Sequence, residues 1–262
     1  MIASGLKSAY QVSFLPLSVF ETWGPVQSRA GRNGFGHNLT SGPSTGQQDA
    51  VSARRYIPVI GLIGGIGSGK SAIARWLARR GDVSVIDADA LGHQALTLPH
   101  VKQQLRDRFG ESIFDAGGQI DRAALARAVF GRTPSHRQAL RDLEAIVHPE
   151  IGRRMRDLVD QVRSKGEVEA ILVDAAVLLE AGWDDVCDAL VFVDAPREVR
   201  EQRVAASRGW SPEELRQRES CQWPLEKKRS AADHVIVNAG TDVGHAAQHV
   251  KHVLTRLARE RT

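Results

Sequence analysis

The sequence predicts an α/β fold in which helices cover both faces of a parallel, five-stranded sheet. Five short, nearly continuous apolar runs follow Tyr56, as expected for strands that are buried on both sides. Stretches with helical start signals separate them, since Thr133 precedes Pro134 and Ser211 opens a Ser-Pro-Glu-Glu sequence. This alternation is typical of doubly wound domains, which bind ligands at the carboxyl ends of their strands.

The five apolar runs are the predicted strands, and polar or glycine residues follow them. They are Ile57–Ile63, Val83–Ile86, Val168–Val173, Ala189–Val193 and His234–Val237. About 80 residues separate the second run from the third, far more than one crossover helix needs. Residues 91–165 are therefore predicted to form a helical, substrate-binding insert. Its helices are expected at Val101–Phe109, Arg122–Phe130, Ser135–Val147 and Ile151–Arg163.

Residues 1–56 differ in composition from the rest of the chain. Gly, Ser and Pro account for 18 of these 56 residues, and residues 30–48 show no apolar periodicity. We expect a disordered or loosely attached extension here, and a folded domain over residues 57–262. Val12–Phe20 is mildly apolar but has a poor cleavage pattern, so it is not interpreted as a signal peptide. A start codon assigned too far upstream would produce the same pattern.

The composition excludes several classes of protein. Apolar residues make up 42% and charged residues 25% of the chain, which excludes wholesale disorder, a collagen-like repeat and a coiled-coil rod. Residues 57–262 carry 30 basic and 29 acidic side chains, so their charge gives no reason to expect nucleic acid. No run approaches the roughly 18 apolar residues of a membrane span. Cys187 and Cys221 have no metal-ligand spacing and fit reduced thiols of a cytoplasmic protein.

The segment after the first strand has the sequence of a phosphate-binding loop (P-loop). Gly64–Ser71 matches the pattern G-x-x-x-x-G-K-[ST], with a strand before it and an amphipathic helix after it. Glycines let the backbone amides turn toward the phosphates, and the helix N-terminus directs partial positive charge there. Lys70 supplies a mobile cation, and Ser71 offers a hydroxyl group to Mg²⁺. The expected nucleoside-triphosphate-binding residues here are Gly65, Ile66, Gly67, Ser68, Gly69, Lys70, Ser71 and Ala72.

Two carboxylates follow the second strand, in Asp87-Ala88-Asp89. We expect this strand to lie beside the P-loop strand, so that it ends opposite the γ-phosphate, where a carboxylate can accept the proton of an attacking hydroxyl. Asp89 is the candidate for that role, and a solvated or helix-capping aspartate is the alternative. Asp87 is assigned to structure or to metal-water contacts. His93 either lines the acceptor pocket or lies on the surface.

A basic cluster follows the fourth strand. Arg197, Arg200 and Arg203 recur at every third position of a predicted helix that opens after Pro196. Arginines on one side of a helix can close over a triphosphate and neutralise the charge on the transferred group. A solvated charged face is the alternative, because glutamates are interleaved with them. We favour a function for Arg203 and predict an arginine-rich lid over residues 196–228.

Taken together, these motifs resemble those of the dephospho-CoA kinase family, which are P-loop small-molecule kinases. The resemblance runs from about Ile57 to Arg259 and is more specific than the P-loop alone, because several independent motifs occur in the family's order. These motifs are Gly64–Ser71, Asp87–Asp89, His148-Pro149, Leu178–Gly182, the lid from Arg203 to Gln222, Lys228, Ala232-Asp233 and Val235–Gly240.

The resemblance implies phosphoryl transfer from ATP, with Mg²⁺ bound, to the ribose 3′-hydroxyl of dephospho-CoA. The products are CoA and ADP, and the reaction is the last step of coenzyme A biosynthesis. By position, Asp89 is the general base, while Lys70 and Arg203 stabilise the transferring phosphoryl group. The implied partner is this small molecule, without nucleic acid or membrane. We expect a cytoplasmic monomer or weak homo-oligomer.

The same resemblance assigns further binding residues. The insert with His148 would hold the pantetheine arm, and Arg122 would meet the acceptor phosphates. Asn238 and Gly240 fall where the family packs a loop near adenine. The motif with Leu178 and Glu180 belongs to the substrate-binding residues as well.

Two positions depart from the family's pattern. Many members have Pro-Leu-Leu after the third strand, whereas this chain has Asp174–Leu179 without a proline. The second arginine of the lid would align with Ser207, and Arg208 lies one residue later. Whether Arg208 takes over that role is left open by the sequence.

Three other functions fit the sequence less well. A different nucleotide-kinase-type enzyme, such as a nucleoside monophosphate kinase, would have a shorter insert than residues 91–165. A GTPase switch would need an Asn-Lys-x-Asp motif, which is missing, and Asp89-Ala90-Leu91-Gly92 follows the wrong strand for its Asp-x-x-Gly motif. A non-enzymatic nucleotide-binding module would typically have lost Lys70 or the acceptor-side carboxylate.

Overall fold

The computed structural model describes residues 56–131 and 133–260. The extension predicted for residues 1–56 lies outside these residues except for Tyr56. The strands of the described part are β1 (Val59–Ile63), β2 (Val83–Asp87), β3 (Ala170–Asp174), β4 (Ala189–Asp194) and β5 (His234–Val237). Its α-helices are α1 (Lys70–Ala78), α2 (Ala88–Ala95), α3 (Pro99–Phe109), α4 (Arg122–Val129), α5 (Pro134–Lys165), α6 (Arg197–Arg208), α7 (Pro212–Glu219), α8 (Leu225–Ser230) and α9 (Val243–Glu260).

The prediction of a parallel, five-stranded sheet is confirmed. The strand order is β2-β3-β1-β4-β5, and every neighbouring pair is parallel. All five residues of β1 are buried, which explains why its sequence is apolar without alternation. The P-loop follows β1 directly, so it lies at the edge of the sheet where the carboxyl ends of the strands meet.

The expectation that the second strand lies beside the P-loop strand is wrong. β3 pairs with β1, with Asp174 in register with Leu62, and β2 pairs with the outer side of β3. Five apolar runs of similar character do not specify their own order, and the long connection between β2 and β3 allows β3 to occupy the inner position. Asp174, rather than Asp87, is therefore the strand-end carboxylate next to β1.

Two apolar cores enclose the sheet. On one face, α1 and α9 cover the strands through buried side chains that include Ile73 and Val250. On the other face, the helices of the insert pack through side chains such as Leu105 and Ile151. None of the helices described is both long and apolar enough to cross a membrane. The arrangement leaves the carboxyl edge of the sheet to the connecting loops and the lid.

The two helices expected at Ser135–Val147 and Ile151–Arg163 form the single helix α5. The two predicted helices lie on either side of Pro149, and a proline inside a helix lacks an N–H and crowds the preceding turn. In the structure Pro149 lies inside α5, and the apolar side chains of Val147, Ile151 and Met155 are buried on both sides of it. Burial of this stripe outweighs the cost of an internal proline, which is about 3 kcal/mol.

Both predicted helix starts are confirmed. The Thr133 hydroxyl accepts the backbone N–H of His136 at the start of α5. Ser211 and Glu214 form a reciprocal capping box at the start of α7.

The lid also has a small apolar core, in which Val204 and Leu215 pack against Ile66 of the P-loop. The lid helices are thus attached to the phosphate-binding loop.

Candidate active site

The P-loop depends on glycine at defined positions. Gly64 and Gly69 have φ values of 140° and 98°, which side-chain-bearing residues rarely adopt. A Cβ atom on Gly64 would lie 2.5 Å from the carbonyl oxygen of Val193, and one on Gly69 would overlap the amide of Asn238. Only glycine therefore allows the loop to pass this close to β4 and to the loop after β5.

Lys70 is the first residue of α1, and its ammonium group points back into the loop. Nζ donates hydrogen bonds to the carbonyl oxygens of Gly64 at 3.0 Å and Gly65 at 2.9 Å. Burial lowers the pKa of Lys70 to about 8, and the charge of Asp174 opposes this shift. The cation lies at the helix N-terminus, where a phosphate group is favoured.

Asp174, at the end of β3, is a site residue that the sequence analysis did not single out. Its carboxylate accepts a hydrogen bond from the Ser71 side chain, and burial raises its pKa. The charge of Lys70 acts in the opposite direction. The signal in the sequence was an apolar run that ends in aspartate, Ile171–Asp174, but its meaning depends on β3 being next to β1.

Asp87 and Asp89 lie at the junction of β2 and α2. Asp87 caps the helix, since its Oδ1 accepts a backbone N–H at 3.1 Å. Asp89 is in the first turn and keeps an exposed surface, yet its pKa is raised to about 6. Burial is the main cause, the charges of Asp87 and Asp174 add to it, and those of Arg208 and Lys70 oppose it. Asp89 thus lies within electrostatic reach of the P-loop lysine and of the lid.

Arg203 and Asn238 connect the lid, the P-loop and the loop after β5. Arg203 donates hydrogen bonds to the carbonyl oxygens of Ser68 at 3.1 Å and Gly240 at 2.8 Å. The Asn238 side chain, which is buried, donates to Ser68 at 2.7 Å. These contacts bring Gly240 and the C-terminal part of the P-loop together around one guanidinium group.

The other lid arginines have separate roles. Arg200 is buried, donates to the Ala195 carbonyl oxygen at 3.2 Å and forms an ion pair with Glu219 of α7. It therefore holds α6 and α7 together, and its Nη1 also lies against the P-loop, 3.5 Å from the Ile66 carbonyl oxygen. Arg208 lies near the site, because its charge affects the pKa of both Asp89 and Lys70. Ser207 instead donates its hydroxyl to the helix backbone at Arg203.

The predicted acceptor-side residues occur at two places. His93 and Arg122 are brought together from α2 and α4, and after burial the Arg122 charge is the main factor that lowers the pKa of His93. His148 of α5 packs against Trp183 with ring centroids 5.1 Å apart. Burial lowers the pKa of His148 to about 4, so the imidazole is neutral.

Leu178 and Glu180 have structural contacts. Leu178 is 1% exposed and belongs to the apolar core. Glu180 forms a buried ion pair with Lys228 at 2.8 Å and accepts the backbone N–H of Trp223. The motif after β3 therefore attaches this loop to α8 at the end of the lid.

The donors available to a metal ion are few. Among the residues that the structure describes, no three His, Cys, Asp or Glu side chains come together as a metal site. Ser71 and Asp174 nevertheless present a hydroxyl and a carboxylate that already contact each other. Mg²⁺ commonly takes one or two protein oxygens and completes its shell with phosphate oxygens and water. These two residues fit that pattern.

A P-loop at the carboxyl edge of a parallel sheet, with acidic side chains and lid arginines around it, defines a P-loop kinase. The family model CoaE, dephospho-CoA kinase, matches residues 58–243. The chain belongs to the dephospho-CoA kinase family.

Individual relatives agree with this assignment. A dephospho-CoA kinase from Carboxydothermus hydrogenoformans is 39% identical over 71% of this chain and 87% of its own length. One from Corynebacterium diphtheriae is 38% identical over 77% of this chain and 94% of its own length. The crystal structure of TT1252 from Thermus thermophilus has a TM-score of 0.63, with 36% identity, and covers 77% of this chain and 98% of that one.

Proposed function

We propose that this enzyme transfers the γ-phosphate of ATP to the ribose 3′-hydroxyl of dephospho-CoA, giving CoA and ADP. The observation that carries the proposal is the Asp89 carboxylate, which lies within electrostatic reach of Lys70 and Arg208 at the carboxyl edge of the sheet. A phosphate donor in the P-loop and a hydroxyl acceptor at Asp89 then meet between these cations. Membership of the family supplies the identity of the acceptor.

The donor is bound by the P-loop. Its backbone N–H groups and the N-terminus of α1 receive the β- and γ-phosphates. Lys70, which donates to the carbonyl oxygens of Gly64 and Gly65, is close enough to exchange these partners for phosphate oxygens. Asn238 and Gly240, which contact Ser68 and Arg203, support the proposal that their loop packs near adenine.

Asp89 orients the acceptor hydroxyl and accepts its proton. A hydroxyl group becomes acidic only as its bond to phosphorus forms, so the base acts late in the step. The raised pKa of Asp89, about 6, leaves it ionised at neutral pH and makes it a stronger proton acceptor than an ordinary aspartate. Arg208 and Arg203 bring positive charge toward the transferring group.

Ser71 and Asp174 are the residues that would hold Mg²⁺. The ion supplies neutralisation of the charge on the β- and γ-oxygens. Asp174 orients the Ser71 hydroxyl through their hydrogen bond, which keeps the serine oxygen available at the first turn of α1. Burial of Asp174 without a cation would be unfavourable, as its raised pKa indicates.

The acceptor lies between the insert and the lid. Arg122 and His93 are proposed to meet its phosphates, and His148, which packs against Trp183, is proposed to hold its arm. Leu178 and Glu180 would act by fixing the loop after β3, since their contacts are internal. The cytoplasmic location, the monomeric or weakly oligomeric state and the independence from nucleic acid remain predictions from the sequence.

A panel of acceptors tests the proposal. Purified protein is incubated with ATP, Mg²⁺ and, separately, dephospho-CoA, adenosine 5′-phosphate, cytidine 5′-phosphate or shikimate, and the masses of the products are measured. Only dephospho-CoA should gain one phosphate rapidly. Faster transfer to a nucleoside monophosphate would instead indicate a different nucleotide-kinase-type enzyme. Omission of Mg²⁺ should abolish the transfer.

A further inference from the structure

Glu144, in the middle of α5, is a buried carboxylate without hydrogen-bond partners. It is 4% exposed, and neither oxygen has a partner among the residues that the structure describes. Burial raises its pKa to about 7, with only the charge of Arg141 acting against this. An unpartnered buried polar group costs about 1–3 kcal/mol, and such groups are rare in native proteins without a functional reason.

Glu150 shows that α5 can satisfy a buried glutamate where the role is structural. It lies on the same helix and is 8% exposed. Its Oε1 accepts hydrogen bonds from Arg153 at 2.8 Å and from Arg154 at 2.7 Å. Glu144 has no comparable arginine contact, so a role in stabilising the helix does not account for it.

Other unpartnered polar atoms lie near Glu144. His148 is four residues later, on the same face of the helix, and its Nε2 is buried without a partner. On the lid side, the charge of Glu144 contributes to raising the pKa of Cys221, so the two groups are close. The next residue, Gln222, uses its Oε1 to accept from Lys228 but leaves its Nε2 unpartnered. Buried donors and acceptors without partners thus occur on α5 and at the end of the lid, which are close to each other at Glu144 and Cys221.

A chain of neighbouring side chains, which includes two arginines, connects Asp89 to this cluster. Arg208 acts on Asp89 and lies over the ring of Trp210, and Arg218 covers the same ring at 3.9 Å. The charge of Arg218 in turn acts on Cys221, beside the cluster that contains Glu144. Dephospho-CoA has the same order of groups, because its ribose is followed by a diphosphate and then by an uncharged arm with a hydroxyl and two amides.

We propose that Glu144 is an acceptor-binding residue, whose carboxyl group hydrogen-bonds the amide-bearing arm of the acceptor together with His148 and Gln222. The inference rests on the proposed function, which supplies the arm. A carboxyl group beside a neutral imidazole and a primary amide provides both donors and acceptors, which an arm with amide N–H and C=O groups requires. The unpartnered atoms are then satisfied when the acceptor binds.

Substitutions at Glu144 separate a binding role from a structural one. Glu144→Leu removes the polar group but keeps much of the volume, and Glu144→Gln keeps a neutral donor and acceptor. Glu150→Leu is the matched control, because it removes a buried glutamate of α5 that has arginine partners. For each protein we would measure the melting temperature, the Kd of ATP, and the Kd of dephospho-CoA in the presence of a non-hydrolysable ATP analogue.

Glu144→Leu should weaken dephospho-CoA binding about tenfold or more, with an unchanged Kd for ATP and an equal or higher melting temperature. Glu144→Gln should stay within about threefold of the wild type, since its hydrogen-bonding groups remain. Glu150→Leu should lower the melting temperature and leave acceptor binding unchanged.

Two results would overturn the inference. One is Glu144→Leu binding dephospho-CoA as tightly as the wild type. The other is that Glu144→Leu lowers the melting temperature and weakens the binding of both ATP and dephospho-CoA, which would show that Glu144 is structural. If the wild type phosphorylates dephospho-CoA and either result is obtained, the proposed function stands and only the role of Glu144 fails. If the wild type neither binds nor phosphorylates dephospho-CoA, both fail.

Discussion

At the residue scale, we propose that two aspartates divide the chemistry of the site. Asp174 is hydrogen-bonded to Ser71 beside the P-loop, where a cation is expected. Asp89 lies across from it, on α2, and its pKa of about 6 reflects desolvation together with the nearby carboxylates. Their separate positions allow one group to serve the donor and the other to serve the acceptor.

Replacement of Asp89 by asparagine should reduce kcat by about 10² or more, because asparagine keeps the shape of the side chain but cannot accept the proton. The KM for ATP should change little, since ATP is bound by the P-loop. Asp87→Asn is the matched control, because Asp87 caps α2 and should affect mainly stability. Steady-state kinetics of the two variants check this, and a greater loss in Asp87→Asn would reverse the assignment.

The pH dependence of kcat/KM should report the ionisation of Asp89 and Lys70, whose pKa values are both shifted. Asp89 must be ionised to act as a base, so activity should rise as pH increases through about 6. Lys70 must be charged to receive phosphate, so activity should fall as pH increases through about 8. A kcat/KM profile between pH 5 and 9 measures both limbs. A wild-type profile that is flat from pH 5 to 7 would contradict the role of Asp89, and the residual activity of Asp89→Asn should lack the acidic limb.

The sequence predicted some of these residues and could not predict others. Lys70 and Ser71 follow from a local pattern, because the P-loop motif places them within one turn of a helix. Asp174 could not be recognised in the same way, because its proximity to Ser71 depends on β3 pairing with β1. Glu144 could not be recognised either, because its burial also depends on tertiary packing. A glutamate on an amphipathic helix is normally solvated.

At the scale of elements, buried charges connect the helices of the lid to each other and to the loop after β3. Arg200 connects α6 to Glu219 of α7, and Lys228 connects α8 to Glu180 after β3. The sequence predicted α7 through its capping box and α6 through the Pro196 that precedes it. It could not predict that an arginine of the periodic set would be internal, because Arg197, Arg200 and Arg203 are equivalent in spacing but differ in what packs against them.

Breaking the buried pair should destabilise the protein far more than breaking an exposed one. Lys228→Met leaves the Glu180 carboxylate buried and unpaired, so the free energy of unfolding should fall by about 3–5 kcal/mol. Arg229→Met removes a largely exposed partner of Asp194 and should cost less than about 1 kcal/mol. Urea unfolding of both variants measures the difference. Equal effects would show that the buried pair does not hold the lid.

At the scale of the whole molecule, the sheet brings distant parts of the chain to one edge. The P-loop, Asp174 and the loop after β5 meet because β3, β1, β4 and β5 are adjacent and parallel. Apolar runs predicted the number and location of the strands. Their order was not encoded in those runs, since it is decided by how the insert and the long connections pack, and this is why the neighbour of β1 was assigned incorrectly.

The product of the reaction provides the most direct test of the account. Wild-type protein, ATP, Mg²⁺ and dephospho-CoA are incubated, and phosphorus and proton NMR locate the new phosphate on the product. We predict a phosphate on the ribose 3′-hydroxyl, formed about 10² or more times slower by Lys70→Ala, which loses the cation nearest the γ-phosphate. A phosphate at another position, no transfer to dephospho-CoA, or wild-type turnover by Lys70→Ala would contradict the account.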